Sequence, residues 1–316
     1  MRILITGGAG FIGSNFVRRA LDGTLKGFSR ITVLDNLTYA GNLKNLPKEG
    51  FEFIKGDICD ANLVNSLVSK NDVVLNFAAE SHVDRSISDP KNFMLTNILG
   101  VQILLNAVKS REDCKFLQIS TDEVYGSLKS ASANEDSPLH PNSPYAASKA
   151  AADLIVRSYF RTYGLNVVIT RSSNNYGPYQ YPEKLIPLFV LNLIQDKKVP
   201  IYGNGTNIRD WIHVDDNCNA IYKVIMGGNA GETYNIGGGN EFSNLKVAED
   251  IIRLMGFDGS KIEFVQDRAG HDFRYSVDAS KIRNELKFVP SIEFASGLAD
   301  TINWYQNNKL WWEKIH

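Results

Sequence analysis

An α/β fold built on a doubly wound parallel sheet, with a smaller mixed α/β domain attached, is what this 316-residue sequence predicts. Three observations point there. In the first half, short runs rich in β-branched residues alternate with longer segments of helical period. The first run is followed at once by closely spaced glycines and then by a helix. Beyond Asn174 the texture changes to loops punctuated by Gly and Pro, in NNYGPYQYPEKLIP, YGNGTNIRDWIH and NIGGGNEFSN.

RILIT (2–6) opens the chain as a strand and residues 12–21 follow as a helix. RITVLD (30–35) and FEFIKGD (51–57) come next, then a helix over 60–69, the run DVVLNFAA (72–79) and a long helix over 91–110. CKFLQIST (114–121), a helix over 144–163 and NVVITRSSN (166–174) complete the series. These runs are apolar enough to be buried on both faces, as the strands of parallel sheets are. Their alternation with helices implies right-handed crossovers, and ligands of such sheets bind beyond the carboxyl ends of the strands. ETYNIGG (232–238) again reads as a strand, so the chain near 214–240 is expected to return to the first sheet. The expected division is 1–174, with that return, as one domain, and 175–316 mainly as the other.

A formal net charge of −1 gives no electrostatic reason to expect nucleic acid or an anionic membrane as partner. Cys59, Cys114 and Cys218 are scattered without CxxC pairing, so no disulfide framework or metal site is expected, and a reducing cytoplasm is the simplest home. The N-terminal MRILITGG lacks a signal-peptide core, and LIPLFVLNLI is too short to span a bilayer.

GGAGFIG spaces Gly7, Gly10 and Gly13 directly after the first strand and at the start of a helix. A pyrophosphate needs that tight turn, that close backbone approach and a helix N-terminus with free N–H groups. Glycines also make ordinary turns, so it is the context that points to a Rossmann dinucleotide site. The second strand ends in Asp35, where an acid can accept hydrogen bonds from an adenosine ribose, and its charge would repel a 2′-phosphate and favour NAD over NADP. Asp57 and Ile58 end the third strand, placed for the amino group and the face of adenine. Each acid has an ordinary alternative, Asp35 capping the turn DNLT and Asp57 the helix that follows. NFAAES closes the fourth strand with small residues, Ala78 and Ala79, where a flat cofactor would pass.

SPYAASKAAADL opens a helix with Pro144 near its first position. Tyr145 and Lys149, spaced i, i+4, share one helix face. A phenol is a poor base at neutral pH, but a nearby ammonium and nicotinium favour the phenolate, which can take a hydroxyl proton as hydride leaves the same carbon. A packed Tyr and a solvated Lys are the commoner fate of an isolated Y-x-x-x-K. In ISTDEVYG a strand ends in two adjacent acids, Asp122 and Glu123. Neighbours in a strand point to opposite faces, so both can serve one ligand only if the chain has left the strand by then.

TGGAGFIG, STDEVYG and YAASK together resemble the extended short-chain dehydrogenase/reductase family. Within it, AAESHVDRSI, STDEVYG, SSNNYGPYQYPEKLIP, RDWIHVDD and DRAGHDFRYSVD resemble the dTDP-glucose 4,6-dehydratases, over a stretch from Arg2 to about Trp304. The resemblance implies a nucleotide-sugar substrate, NAD held through turnover, and a homodimer formed by the helices near 91–110 and 144–163. It implies further cofactor contacts at Phe11, Ile12, Asn36, Thr38, Phe77, Ser81, Thr96 and Ser173, beside Tyr145 and Lys149. It implies oxidation at C4, removal of the C5 proton by Glu123, loss of the C6 hydroxyl as water with Asp122 as acid, and hydride return to C6, with Thr121 bonded to the C4 oxygen. By spacing alone either acid could take either role. Related sugar-nucleotide 4-epimerases usually lack the Asp-Glu pair.

A nucleotide diphosphate needs cations, which Lys184, Arg209, Arg268 and His271 offer in loop-like settings. The resemblance implies substrate contacts at Ser81, Thr121, Asn174, Lys184 and Leu185, then at Pro200, Tyr202, Arg209, Asn244 and Arg268. Arg209 is expected on the diphosphate, with Pro200 and Tyr202 walling the base, and Arg85 within reach of the sugar. His82 and His213 read as structural hydrogen-bonders. Two departures from the pattern, a short segment between Gly126 and Pro138 and Phe273 where an Arg is common, bear on which sugar or base is accepted. Thymine and uracil differ by one methyl, ~1–3 kcal/mol in a pocket, so a UDP-sugar dehydratase or 4-epimerase is the alternative enzyme. An NAD-binding regulatory protein is the non-enzymatic one.

Overall fold

The computed structural model describes residues 1–111 and 113–313; the last three residues of the 175–316 stretch lie outside it. Seven parallel strands form the central sheet: β1 (Arg2–Thr6), β2 (Arg30–Asp35), β3 (Glu52–Lys55), β4 (Val73–Asn76), β5 (Lys115–Thr121), β6 (Val167–Ser172) and β10 (Thr233–Ile236). Their order is β10-β6-β5-β4-β1-β2-β3, and the order reverses direction beside β1, where a ligand crevice is expected. The register sets Thr6 level with Leu34 and Asn76, and Thr121 level with Ser172. The strand ends that carry the candidate residues therefore open along one edge.

Helices α1 (Phe11–Leu21), α2 (Ala61–Val68), α5 (Val101–Lys109), α6 (Pro144–Tyr163) and α8 (Val214–Gly227) cover both faces of the sheet. Ile3 and Ile5 of β1 pack with Phe16, Val17 and Ile221 on one side, whereas Leu4 packs with Val64, Leu104 and Val156 on the other. That alternation is why the strand runs read as continuously apolar. Short α3 (Val83–Ser88) and α4 (Lys91–Met94) lie between β4 and α5. Helix α6 starts where the Ser143 side chain accepts the amide of Ala146, with Pro144 in the first turn, and stops at Gly164 in the left-handed conformation.

The remaining elements are β7 (Asn174–Tyr176), α7 (Leu185–Ile194), β8 (Val199–Tyr202), β9 (Ile208–His213), β11 (Glu241–Ser243), α9 (Asn244–Leu254), β12 (Ile262–Val265), α10 (Ser280–Leu286), α11 (Phe294–Asn307) and α12 (Lys309–Trp312). They supply a three-stranded sheet, β11-β9-β7, and a two-stranded one, β12-β8. A separate core of Phe189, Trp211, Val247, Ile251, Leu298 and Tyr305 holds much of this part together. The return of residues 233–236 to the edge of the first sheet is parallel to β6.

Four of the expected elements differ in the structure. The 166–174 run is two strands, because Ser173 donates to Ile236 and the chain then leaves the central sheet, so that Asn174 pairs with Trp211. The 72–79 run stops pairing at Asn76 and the 51–57 run at Lys55, freeing the residues beyond to line the ligand edge. The 91–110 helix is interrupted by a π-helical stretch, Leu95–Gly100. The wider turn sets Asn97 in the interior, where it exchanges hydrogen bonds with the backbone of Glu80 and donates to the Ser148 hydroxyl at 2.9 Å.

Candidate active site

The ligand edge begins where β1 gives way to Gly7. Its φ is +67°, and a Cβ there would come within 2.5 Å of the Ala78 amide nitrogen; a Cβ at Gly13 would come within 2.4 Å of the Gly7 carbonyl. Only glycine lets these backbones pass so closely. No side chain caps α1 at Gly10, so the start of the helix presents its free first-turn amides where Phe11, Ile12 and Gly13 line the cleft.

Asp35, 8% exposed, accepts the amides of Ala9 and Leu37, both at 2.8 Å. Burial raises its pKa and those two amides oppose the rise. The turn-capping alternative for Asp35 is thus realised, yet the residue also faces the cleft. Asp57 accepts from the Cys59 amide and from the Asn36 side chain, both at 2.8 Å. The helix that follows is capped instead by Asp60, which accepts the amide of Leu63. Ile58 packs so closely on Gly100 that a methyl there would strike it. Thr38, Phe77, Ala78, Ala79, Ser81, Thr96 and Ser173 line the same cleft, as do Tyr145 and Lys149. A glycine cradle at a helix start, two acids at successive strand ends and a wall of small residues fit a dinucleotide.

Thr121 is the last residue of β5 and caps a 3-10 turn over Asp122–Tyr125, accepting the Glu123 amide at 3.3 Å. The two acids are therefore off the strand and both line the cleft, which resolves the objection that strand neighbours diverge. One Asp122 oxygen accepts from the Thr121 hydroxyl at 3.2 Å; the other is buried with no partner among the described residues. Burial pushes the Asp122 carboxyl well above its ordinary range, and Glu123 and Asp210 add to this. Glu123 is also raised by burial, but Arg268, Lys184 and Arg209 pull it back toward the charged form. Both carboxyls are thus raised, with three cations opposing the rise at Glu123 and Arg209 opposing it at Asp122.

Tyr145 is buried at the start of α6, its amide bonded to the Ser86 hydroxyl at 3.2 Å. Burial and the two acids raise its phenol, and Thr121 opposes them. Lys149 donates to the Ile119 carbonyl at 2.6 Å. Burial lowers its ammonium to about 8, with Asp153 acting in the other direction.

The substrate candidates divide. Ser81, Thr121, Asn174 and Lys184 line the cleft, and Lys184 donates to the Ser81 carbonyl at 2.9 Å. Tyr202, Arg209, Arg268 and His271 belong to a neighbouring group: Tyr202 meets the His271 ring edge-on at 6.2 Å, His271 pairs with Asp267, and Arg268 reaches Asp84 at 3.5 Å. Arg209 is not in a loop. It lies within β9, 5% exposed, donating to the carbonyls of Ile208, Asp272 and Phe273, because a cation at mid-strand needs fixed acceptors once buried. Leu185 opens α7 and packs toward the second core, and Pro200 lies level with Glu263 of β12. Asn244 starts α9 with its side-chain oxygen buried and unpartnered among the described residues. His82 and His213 each accept an amide at the start of a helix, α3 and α8 respectively.

Of two residues that sequence reasoning passed over, Tyr275 stands against Glu123 and Asp272 stands behind Tyr275. The Tyr275 hydroxyl lies 3.5 Å from its carboxylate and donates to Asp272 at 2.7 Å. Both sit in DRAGHDFRYSVD, where an Asp between His271 and Arg274 and a Tyr directly after Arg274 were the available signal. Glu183, Tyr39 and Tyr181 also wall the cleft, with Arg85 stacked on Tyr39 at 3.9 Å and paired with Glu183 at 3.1 Å.

A family model described as GDP-mannose 4,6 dehydratase matches residues 4–301. The chain belongs to that family. A Streptomyces niveus family relative named dTDP-glucose 4,6-dehydratase is 53% identical over 321 residues, covering 100% of this chain and 96% of the relative. One of the same name from Escherichia coli is 45% identical, covering 100% and 96%. Among solved family structures, Streptomyces venezuelae DesIV, a dTDP-glucose 4,6-dehydratase with NAD and TYD bound, superposes with a TM-score of 0.98 at 51% identity, each chain covered in full. A UDP-glucose 4-epimerase from Thermotoga maritima superposes at 0.91 with 28% identity, covering 98% of this chain and 100% of the other. The fold is thus shared with epimerases, but the higher identity lies with dehydratases.

Proposed function

We propose that the chain is a dTDP-glucose 4,6-dehydratase that keeps NAD bound through turnover. The observation that carries this reading is the pair Asp122 and Glu123, turned off the end of β5 into the cleft that Tyr145 and Lys149 also line, in a chain about half identical to dehydratases of that name. NAD, when bound, supplies the hydride acceptor at C4 and the hydride donor at C6.

Tyr145 takes the proton of the C4 hydroxyl, with the Lys149 ammonium stabilising the phenolate and Thr121 holding the C4 oxygen. The ketone acidifies the C5 hydrogen. Glu123, where Arg268, Lys184 and Arg209 oppose the effect of burial, removes it. Asp122, whose carboxyl burial pushes well above its ordinary range, protonates the departing C6 hydroxyl. Arg209, Arg268, Lys184 and His271 hold the diphosphate, Tyr202 and Pro200 wall the base, and Leu185 and Asn244 complete that side. Residues 1–174 with the strand at 233–236 hold the cofactor, and the rest mainly the nucleotide sugar.

The protein acts as a homodimer. Met94, Leu95, Leu99, Leu154 and Tyr163 are exposed apolar side chains on the 91–109 and 144–163 helices, a concentration that favours association. No described helix is long and apolar enough to cross a membrane, and three free cysteines suit a cytoplasmic setting.

Incubation with dTDP-glucose and with UDP-glucose, read by mass spectrometry, tests the assignment. Loss of one water from the dTDP sugar is the expected result. Unchanged mass with an inverted C4 centre would make the protein an epimerase, and preference for the uridine substrate would reassign the base.

A further inference from the structure

Behind the catalytic layer lies a buried polar cluster that takes no part in the proton transfers above. Arg171 of β6 is 6% exposed and lies level with Ser120 of β5 and Asn235 of β10. Its Nε donates to Asp153 at 2.8 Å, and an Nη donates to the Tyr125 hydroxyl at 2.8 Å. The Tyr125 hydroxyl in turn donates to Asn235 at 2.7 Å, and the guanidinium lies 4.9 Å from the Tyr125 ring centre.

Arg171 also donates to the Glu135 carbonyl at 3.3 Å, but its two shorter contacts are not arbitrary. Asp153, 1% exposed, lies on α6 one turn beyond Lys149 and two beyond Tyr145, on the same helical face. Tyr125 closes the turn that carries Asp122 and Glu123. Resting on the functional reading above, we propose that Arg171 is a positioning residue with two branches: through Asp153 it sets the helix that oxidises C4, and through Tyr125 it sets the turn that eliminates water.

A buried ion pair rarely outperforms well-packed apolar side chains in stability, because desolvation offsets most of the attraction. What a planar guanidinium with fixed donors supplies is direction. Here it fixes two elements that share no sequence continuity, one from each half-reaction, to a single strand. A displacement of about 1 Å at such distance from the chemistry can cost on the order of a hundredfold in rate. The arrangement therefore predicts separable defects.

The test uses the full-length protein with its cofactor and two probes. The 6-deoxy analogue of the sugar nucleotide can be oxidised at C4 but has no hydroxyl to lose, and its oxidation is read from reduced-nicotinamide absorbance in a single turnover. The 4-keto-6-deoxy product in deuterated water reports C5 proton exchange alone, read by mass. Tyr125→Phe keeps the ring and loses the hydroxyl; it should slow C5 exchange by about tenfold to a hundredfold while leaving C4 oxidation within about twofold. Asp153→Asn should do the reverse, and Arg171→Met should impair both. If both isosteric variants slow the two half-reactions equally, or leave both at the wild-type rate, Arg171 is a structural residue only and the proposal is overturned. Thermal melts of each variant separate loss of fold from loss of position, and the two isosteric variants decide the matter if Arg171→Met does not fold. A wild-type protein inactive on both probes would instead refute the dehydratase assignment.

Discussion

The ammonium of Lys149 donates to the carbonyl of Ile119 at 2.6 Å, fastening α6 to β5 two residues before the chain turns out of the sheet. The same contact fixes where the Tyr145 face meets the Thr121–Glu123 turn, so the groups assigned to oxidation and elimination share one anchor.

Separating the two acids is the first expectation. Glu123→Gln should lower dehydration by about 10² to 10⁴, the usual worth of a positioned base, and Asp122→Asn should impair it, whereas Tyr145→Phe should stop C4 oxidation itself. Product mass, together with solvent deuterium at C5, checks all three. Wild-type dehydration in both acid variants would remove the assigned roles.

Burial of Lys149 makes a stability prediction with a definite sign. Its pKa falls from the ordinary 10.5 to about 8 in the folded protein, so between those values the unfolded chain binds more protons than the native one. Stability contributed by this group must rise with pH through that window. The cost of burying the charge is fully present below pH 8 and gone above 10.5. In denaturant titrations the gap between wild type and Lys149→Met should change by on the order of 3 kcal/mol across that range, in favour of the wild type at the alkaline end. A gap independent of pH would contradict the burial argument.

The glycine cradle is unforgiving. Gly7→Ala combines a φ of +67° with a Cβ 2.5 Å from the Ala78 nitrogen, so the loop must move away from the helix start. Purified variant protein should carry little NAD, measured by mass spectrometry of the denatured supernatant. Full cofactor content would show that the pyrophosphate lies elsewhere.

Asp57 and Asp60 should part company. Asp60→Ala removes a helix cap and should cost about 1 kcal/mol in urea unfolding with cofactor content unchanged. Asp57→Ala, which loses the Asn36 and Cys59 contacts at the cleft, should weaken cofactor retention. Equal effects on both readouts would erase the distinction.

Leu99 and Leu154, exposed on the proposed dimer helices, offer a direct test of assembly. Leu99→Glu with Leu154→Arg should shift the species seen by light scattering from dimer to monomer. Unaltered mass would place any interface on another face.

What the sequence determined by itself follows from local chemistry. Alternating apolar runs specify the sheet because a strand buried on both faces has no polar face to show, and Gly7 and Gly13 specify the cradle because no other residue tolerates the approach. STDEVYG and YAASK likewise carry their spacing in the chain. The tertiary structure decided what depends on partners distant in sequence. Arg209 became a buried mid-strand cation because β7 and β11 flank β9 and the Asp272 and Phe273 carbonyls receive it. Tyr275 came within reach of Glu123 across 152 residues, a proximity no periodicity encodes. The π-helical stretch at Leu95–Gly100 arose because Asn97 answers Glu80 and Ser148. The surroundings of the two acids also came from the tertiary structure, which buries both carboxyls and brings Arg268, Lys184 and Arg209 around Glu123, since such surroundings are not contained in two adjacent letters.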